Sequence, residues 1–182
     1  NEQKSYIQWG EEKGFNKNYK CRIRPKWYHV SQTWYADAFL IRQAHLYPRI
    51  ILNDKKALVT DTLHKIRFLE GIDGKQVAAA FLNTYTLALS ETLGRSYGGG
   101  LTFEPGEIRK IRIPMQMASR LDLQMIDCWQ RNGEIDKILK YTDTILLRDG
   151  LGLSEKEIGL LHDIWEKLHN RRMTRKNQRK RI

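Results

Sequence analysis

Residues 74–104 read GKQVAAAFLNTYTLALSETLGRSYGGGLTFE, and the way this stretch divides decides the fold class. Val77, Phe81, Tyr85 and Leu89 recur at every fourth position, with Ala78, Leu82 and Leu93 beside them. That spacing belongs to an amphipathic helix. Gly74 precedes the pattern and Gly94 ends it, so one long helix is expected between them. Gly98-Gly99-Gly100 then breaks the chain. Short extended pieces follow at 101–104 and 111–113, the second closing at Pro114.

Upstream of this helix the texture is different. Short runs rich in aromatic and β-branched residues occupy 19–24, 27–30, 38–43, 49–53, 57–60 and 65–69, punctuated by Pro25 and Pro48. They predict strands, with a turn at Asn53-Asp54-Lys55-Lys56. Downstream of Pro114 only helical spacing remains. Met117, Leu121, Met125 and Cys128 form one stripe, and Ile135, Ile138, Leu139, Thr142, Ile145 and Leu146 a second. A third helix opens at Ser154-Glu155-Lys156-Glu157, a capping box, and carries Ile158, Leu161, Trp165 and Leu168. The expected architecture is α+β: a mixed or antiparallel β-rich body with one long helix (19–114), then a helical subdomain (115–170). Residues 1–18, polar and without a clear period, read as a linker or entry arm. Residues 171–182 read as a basic tail.

Composition bounds the function. With 182 residues and 41% apolar content the chain is long enough for a real core. No apolar stretch approaches the ~20 residues of a membrane span, no secretory signal opens the chain, and a soluble, cytoplasmic protein is expected. The absence of an initial Met predicts a fragment of a longer protein. Cys21 and Cys128 are far apart and outside any metal-binding spacing, so two reduced thiols are expected. The net charge is +11, but residues 171–182 hold seven basic side chains and no acid; removing those seven leaves +4. Such a tail adds sequence-blind, salt-sensitive attraction to phosphates.

Catalytic constellations are missing. His29, His45, His64, His162 and His169 show no metal-ligand spacing, and the chain has no nucleophile elbow, phosphate loop or dinucleotide fingerprint. Asp61 and His64 are a conceivable pair that a turn explains equally well. What the sequence does carry suits nucleic acid. Residues 19–30 read YKCRIRPKWYHV. On a strand, Lys20, Arg22 and Arg24 share one face, and Lys26, Trp27 and Tyr28 follow Pro25. Guanidinium groups pair with phosphates or guanine edges, and rings stack against sugars or bases. The second feature is Gly98-Gly99-Gly100 after Arg95 and Tyr97, where a close-approaching backbone and one cation would hold a phosphate. A solvated strand face and a tight connector are the plain alternatives for the two features.

Taken in order, these pieces resemble a known family. They are Tyr19-x-Cys21-Arg22-x-Arg24 with Trp27-Tyr28, Pro48 with Ile51-Leu52-Asn53, Leu82-Asn83, Glu91-x-x-Gly94-Arg95-x-Tyr97-Gly98-Gly99-Gly100, Glu104-Pro105-x-Glu107 and Ile113-Pro114. The series is similar to the C-terminal target-recognition region of gamma-class adenine-N6 DNA methyltransferases of bacterial restriction–modification systems, over about residues 19–114. The resemblance implies a parent enzyme whose N-terminal domain binds S-adenosylmethionine and holds a flipped adenine in an Asn-Pro-Pro-Tyr-type motif. This chain has neither that motif nor a cofactor motif, so it is expected to bind double-stranded DNA without catalysing methylation, and to hold no cofactor itself. The implied DNA-facing residues are Arg22, Arg24, Lys26, Trp27, Tyr28, Arg95, Tyr97, Gly98, Gly99 and Gly100. The implied partners are duplex DNA and the N-terminal methyltransferase domain, with the C-terminal helices offering a face to another protein. The alternatives are a DNA-specificity subunit of a multi-subunit restriction–modification complex and a general nucleic-acid-binding protein.

Overall fold

Helix α1 (Glu2–Glu12) forms from residues with no long apolar period, where the sequence pattern predicts a linker. The computed structural model describes residues 2–29 and 34–178, and the chain divides into two units, Asn1–Trp34 and Tyr35–Ile182. In the first unit α1 is followed by a 3-10 turn at Phe15–Lys17 and a single helical turn, α2 (Tyr19–Arg22).

The second unit holds β1 (Ala38–Ile41), β2 (Gln43–Ala44), β3 (Ile50–Leu52), β4 (Leu63–Ile66), α3 (Gly74–Phe81), α4 (Thr84–Leu93), β5 (Arg95–Tyr97), β6 (Gly100–Thr102), α5 (Pro105–Ile108), α6 (Leu123–Arg131), α7 (Ile135–Asp143) and α8 (Glu155–Gln178). The strands make two antiparallel sheets, ordered β3-β1-β4 and β2-β6-β5. Ala38, Phe39 and Leu40 of the central strand β1 are all buried, with Phe39 opposite Ile51 and Lys65. Arg42 is the hinge between sheets: its N–H donates to Thr62 O (3.3 Å) and its carbonyl accepts from Phe103 N–H (2.9 Å). The fold is thus α+β, as the sequence predicts.

Several expected strands do not form. Residues 57–60 stay irregular because Asn53, at the turn where it was expected, binds the backbone beyond it. Its Oδ1 accepts from Ala57 N–H (2.8 Å) and its Nδ2 donates to Ala57 O (3.0 Å) and Ala36 O (2.8 Å). Those bonds take the place of a strand ladder. Residues 19–22 coil into α2, 23–26 are turn and bend, and 27–28 are turn; Val30 lies outside the described residues. The extended piece at 111–113 pairs with no strand.

The single long helix expected at 74–94 is two helices. Asn83, fully buried, interrupts it: Oδ1 accepts from Thr86 N–H (2.9 Å), while Nδ2 donates to Ala80 O (2.6 Å) and Thr86 Oγ1 (2.8 Å). A buried Asn that caps α4 satisfies its own amide together with a free donor of the first turn. Around the break, Phe81, Leu82, Leu87 and Ala88 pack with Leu40, Ile126, Ile138, Leu139 and Trp165 into one core. Each large apolar side chain buried here stabilises the fold by about 1.5–3 kcal/mol.

The helical part keeps most of its predicted stripes. Ile138, Leu139, Thr142, Ile145 and Leu146 are buried, as spaced; α7 runs on into a π-helical segment, Thr144–Gly150. The stripe through Met117, Leu121, Met125 and Cys128 is misphased. Met117 sits at φ 62° before a 3-10 turn, and Asp122 starts α6 by accepting from Gln124 N–H (2.8 Å) and Met125 N–H (3.1 Å). The helix then buries Ile126 and leaves Cys128 exposed. The Ser154 capping box forms: Ser154 N–H donates to Glu157 Oε2 (2.8 Å), and Glu157 N–H donates to Ser154 Oγ (3.3 Å).

Candidate nucleic-acid interface

The residues expected to meet DNA fall into both units, each described by itself. In the first, Asn18 O accepts from Cys21 N–H (2.9 Å) and Arg22 N–H (3.0 Å), which winds the backbone into α2, and Pro25 follows soon after the turn. Local bonds of this kind win where no neighbouring strand supplies a ladder. Lys20, Arg22 and Arg24 therefore do not share the strand face expected of them, since positions two apart on a helical turn point in different directions. Arg22 and Lys26 are exposed and Arg24 is half-buried.

Trp27 has a structural duty. Its ring lies over Gly10, where an added Cβ would come within 2.5 Å of Trp27 Cη2, and its Nε1–H donates to Glu11 Oε1 (2.9 Å). Tyr28 packs edge-on against it, with ring centroids 5.8 Å apart, and stays 42% exposed. Sequence reasoning missed a second aromatic group: Tyr6, Trp9 and Phe15, in successive ring contact at 5.6 and 5.5 Å and all exposed. The three-residue spacing of Tyr6 and Trp9 was the available signal, for it puts both on one helical face.

In the second unit, Gly98 and Gly99 form the two-residue loop of the β5–β6 hairpin, in which Tyr97 opposes Gly100. Their φ values are 58° and 84°, the pair of positive angles that a type I′ turn demands and glycine supplies without strain. Arg95 and Tyr97 lie on one face of β5, about 70% exposed each. Arg95 Nε donates to Glu107 Oε1 (2.6 Å). Glu107 also accepts from Glu104 N–H (2.9 Å) in the capping box of α5. That backbone bond is the main cause holding its carboxyl below the usual range, opposed by desolvation and aided by Arg95.

Behind the hairpin sits a residue assigned by sequence to the basic tail. Arg172 is buried with Glu91, at 2% and 3% side-chain exposure. Its Nε donates to Glu91 Oε2 (2.9 Å) and one Nη to Glu91 Oε1 (2.6 Å); the guanidinium also reaches His45 O (2.7 Å), Leu46 O (2.9 Å) and Gly99 O (2.7 Å). Burial pushes the Glu91 carboxyl up, but hydrogen bonds to His169 and Arg172, with Arg172's charge, outweigh it and hold the group below its ordinary value. Helix α8 runs through Gln178, so the first residues of the basic tail are its last turns; Arg179, Lys180 and Arg181 lie outside the described residues.

His64 Nε2 lies 2.9 Å from Phe103 O and is tied to that carbonyl. Among the described residues no three His, Cys, Asp or Glu side chains gather as a metal site, and no helix is long and apolar enough to cross a membrane.

Residues 1–147 match the family described as the C-terminal domain of the Type II methyltransferase M.Eco57I. The chain is also 28% identical over 111 residues, 60% of its length, to the Type II methyltransferase M.XamI of Xanthomonas campestris pv. amaranthicola. The matched region is 21% of that relative's length. No solved structure matches. The family match includes the ordered motifs from Tyr19 to Pro114 and runs across both units to the end of the second helical stripe. The chain belongs to the family of Type II restriction–modification methyltransferase C-terminal domains represented by that of M.Eco57I.

Proposed function

We propose that the chain is the DNA target-recognition region of an S-adenosylmethionine-dependent, adenine-N6-specific methyltransferase, acting in the cytoplasm on double-stranded DNA beside an N-terminal methyltransferase domain. One observation carries the reading. From Lys13 to Ala36 the sequence holds six Lys or Arg residues and no acid, interleaved with Phe15, Tyr19, Trp27, Tyr28, Trp34 and Tyr35. Arg22, Lys26 and Tyr28 within it are exposed. Uncompensated cations among rings attract phosphates and pack against sugars and bases. Arg95 and Tyr97, with the Gly98-Gly99-Gly100 turn, form the second contact surface in this reading.

The glycine-rich segment closes a hairpin rather than a strand-to-helix turn, and its Gly99 carbonyl is taken by Arg172. S-adenosylmethionine therefore belongs to the N-terminal domain in this proposal. The specificity-subunit alternative uses the C-terminal helices as partner faces: their inner residues Ile138, Leu139, Leu146 and Trp165 are buried within this chain, and Leu160 and Ile164 of α8 are exposed.

The test is competition binding. A labelled random-sequence DNA duplex bound by the chain should be displaced by unlabelled duplex more readily than by structured RNA. The Arg22→Ala/Arg24→Ala variant should bind about tenfold or more weakly, with its melting temperature nearly unchanged. Stronger displacement by RNA would favour the general nucleic-acid-binding reading.

A further inference from the structure

The family match ends at residue 147, yet α8, beyond that limit, sends Arg172 into the family-matched part. Arginine has five N–H donors in a rigid fork. Here two face the Glu91 carboxylate, and the others reach three backbone carbonyls: His45 and Leu46 around the end of β2, and Gly99 in the β5–β6 turn. His169, one helical turn earlier, places Nδ1 3.1 Å from the guanidinium and 3.4 Å from Glu91. A surface-binding role for Arg172 is closed by its burial. What its fork does touch is the inner side of the hairpin whose outer residues, Arg95 and Tyr97, are exposed.

We propose that Arg172 is a positioning residue for DNA recognition: it locks the β5–β6 hairpin against α8 and α4, so that Arg95 and Tyr97 meet duplex DNA in one fixed pose. The inference rests on the DNA-recognition reading above. A base-reading side chain has to be held within a fraction of an ångström, and rigid support from a neighbouring shell supplies that. Arg95 is already tethered sideways by Glu107; the Gly98-Gly99 turn has no side chains of its own to pack, and the Arg172–Gly99 bond supports it from within. Lysine cannot substitute, because its single ammonium keeps the charge opposite Glu91 but cannot reach three carbonyls in a plane.

Two measurements on the full chain separate this inference from the reading beneath it. Amide hydrogen exchange compares wild type with Arg172→Lys. Exchange at Tyr97 and Gly100 should quicken about tenfold, the scale of one hydrogen bond removed, while β1 and β4 stay protected. Selection from a random-sequence duplex pool then compares the motifs enriched. Arg172→Lys should enrich its motif about tenfold less while the salt dependence of binding keeps its slope, since every phosphate-facing cation remains. Arg95→Ala and Tyr97→Ala should fail to enrich the same motif without altering exchange in β1. If Arg172→Lys folds poorly, Arg172→Met/Glu91→Gln removes both buried charges together and is read in the same way. Unchanged hairpin exchange, unchanged enrichment or a reduced salt slope in the Arg172 variants overturns the proposal. Failure of the wild type to bind duplex DNA overturns the recognition reading instead, and hydrogen exchange still decides whether Arg172 holds the hairpin.

Discussion

Asp143 is where two opposing effects on one carboxyl can be weighed. Burial favours its neutral form, and this outweighs the bonds from Thr84 Oγ1 (2.5 Å) and Thr84 N–H (2.8 Å) and the charge of His162; its pKa is raised to about 6. The group caps α4 from α7, next to Asn83, so its charge state bears on the junction of both helices. An unfolded Asp has its ordinary value of 3.8, so the folded state binds the proton more tightly. As pH falls from about 6 to 4, stability from this group rises; above about 6 the ionised, buried form costs a constant amount. A shift of this size corresponds to about 2–3 kcal/mol. Glu91, held below its ordinary value, acts in the opposite sense, and its contribution fades only at lower pH. Urea unfolding at about pH 7 and about pH 5 should show wild type gaining stability on acidification relative to Asp143→Asn. Equal pH responses in the two proteins would remove Asp143 as the cause.

At the scale of elements, α1 depends on a glycine. Trp27 covers Gly10 so closely that Gly10→Ala puts its methyl within 2.5 Å of the indole. Alanine is the better helix former, yet here overpacking should dominate, at about 1–3 kcal/mol. The indole N–H of Trp27, bonded to Glu11, should exchange faster in Gly10→Ala, while the melting of the second unit is unaltered; an unperturbed indole signal would count against this packing. The same contact explains why the first unit was hard to read. Residues 19–30 have strand-like composition, but a strand exists only if another strand pairs with it, and here local turns take the backbone bonds of Cys21, Arg22, Arg24 and His29 while the Trp27 ring packs on Gly10. Where long-range pairing agrees with local pattern, as in β1 and β3, and where a helical stripe repeats over several turns, as in α7 and α8, the reading holds. It fails at Asn83, because Leu82-Asn83 lies within an unbroken apolar period and only the buried bonds to Ala80 and Thr86 divide the helix. For the candidate site, the exposure of Tyr97 and Arg95 follows from their place beside a glycine turn. The burial of Arg172 does not: its partners lie some 73 to 127 residues away, and cations surround it in the sequence.

For the whole molecule, charge and fold meet at the end of α8, and two truncations separate them. Ending the chain after Asn170 removes Arg172 and leaves Glu91 buried without its guanidinium partner. Removing one member of a buried ion pair costs about 3–5 kcal/mol, so this form should melt well below the full chain. Ending it after Thr174 keeps Arg172 and deletes Arg175, Lys176, Arg179, Lys180 and Arg181. The fold should then melt as before, because the carbonyl and carboxylate partners of Arg172 remain. If the deleted cations face DNA phosphates, binding should weaken at low salt, and the slope of log affinity against log salt should flatten by about 0.9 for each phosphate no longer neutralised. The full chain itself should bind about tenfold or more weakly at roughly 200 mM than at roughly 50 mM salt if several phosphates are met. Equal melting of the two truncated forms would show that Arg172 does not tie α8 to the body. An unflattened slope in the longer form would instead place the phosphate contacts on the cations that remain, chiefly those between Lys13 and Lys26.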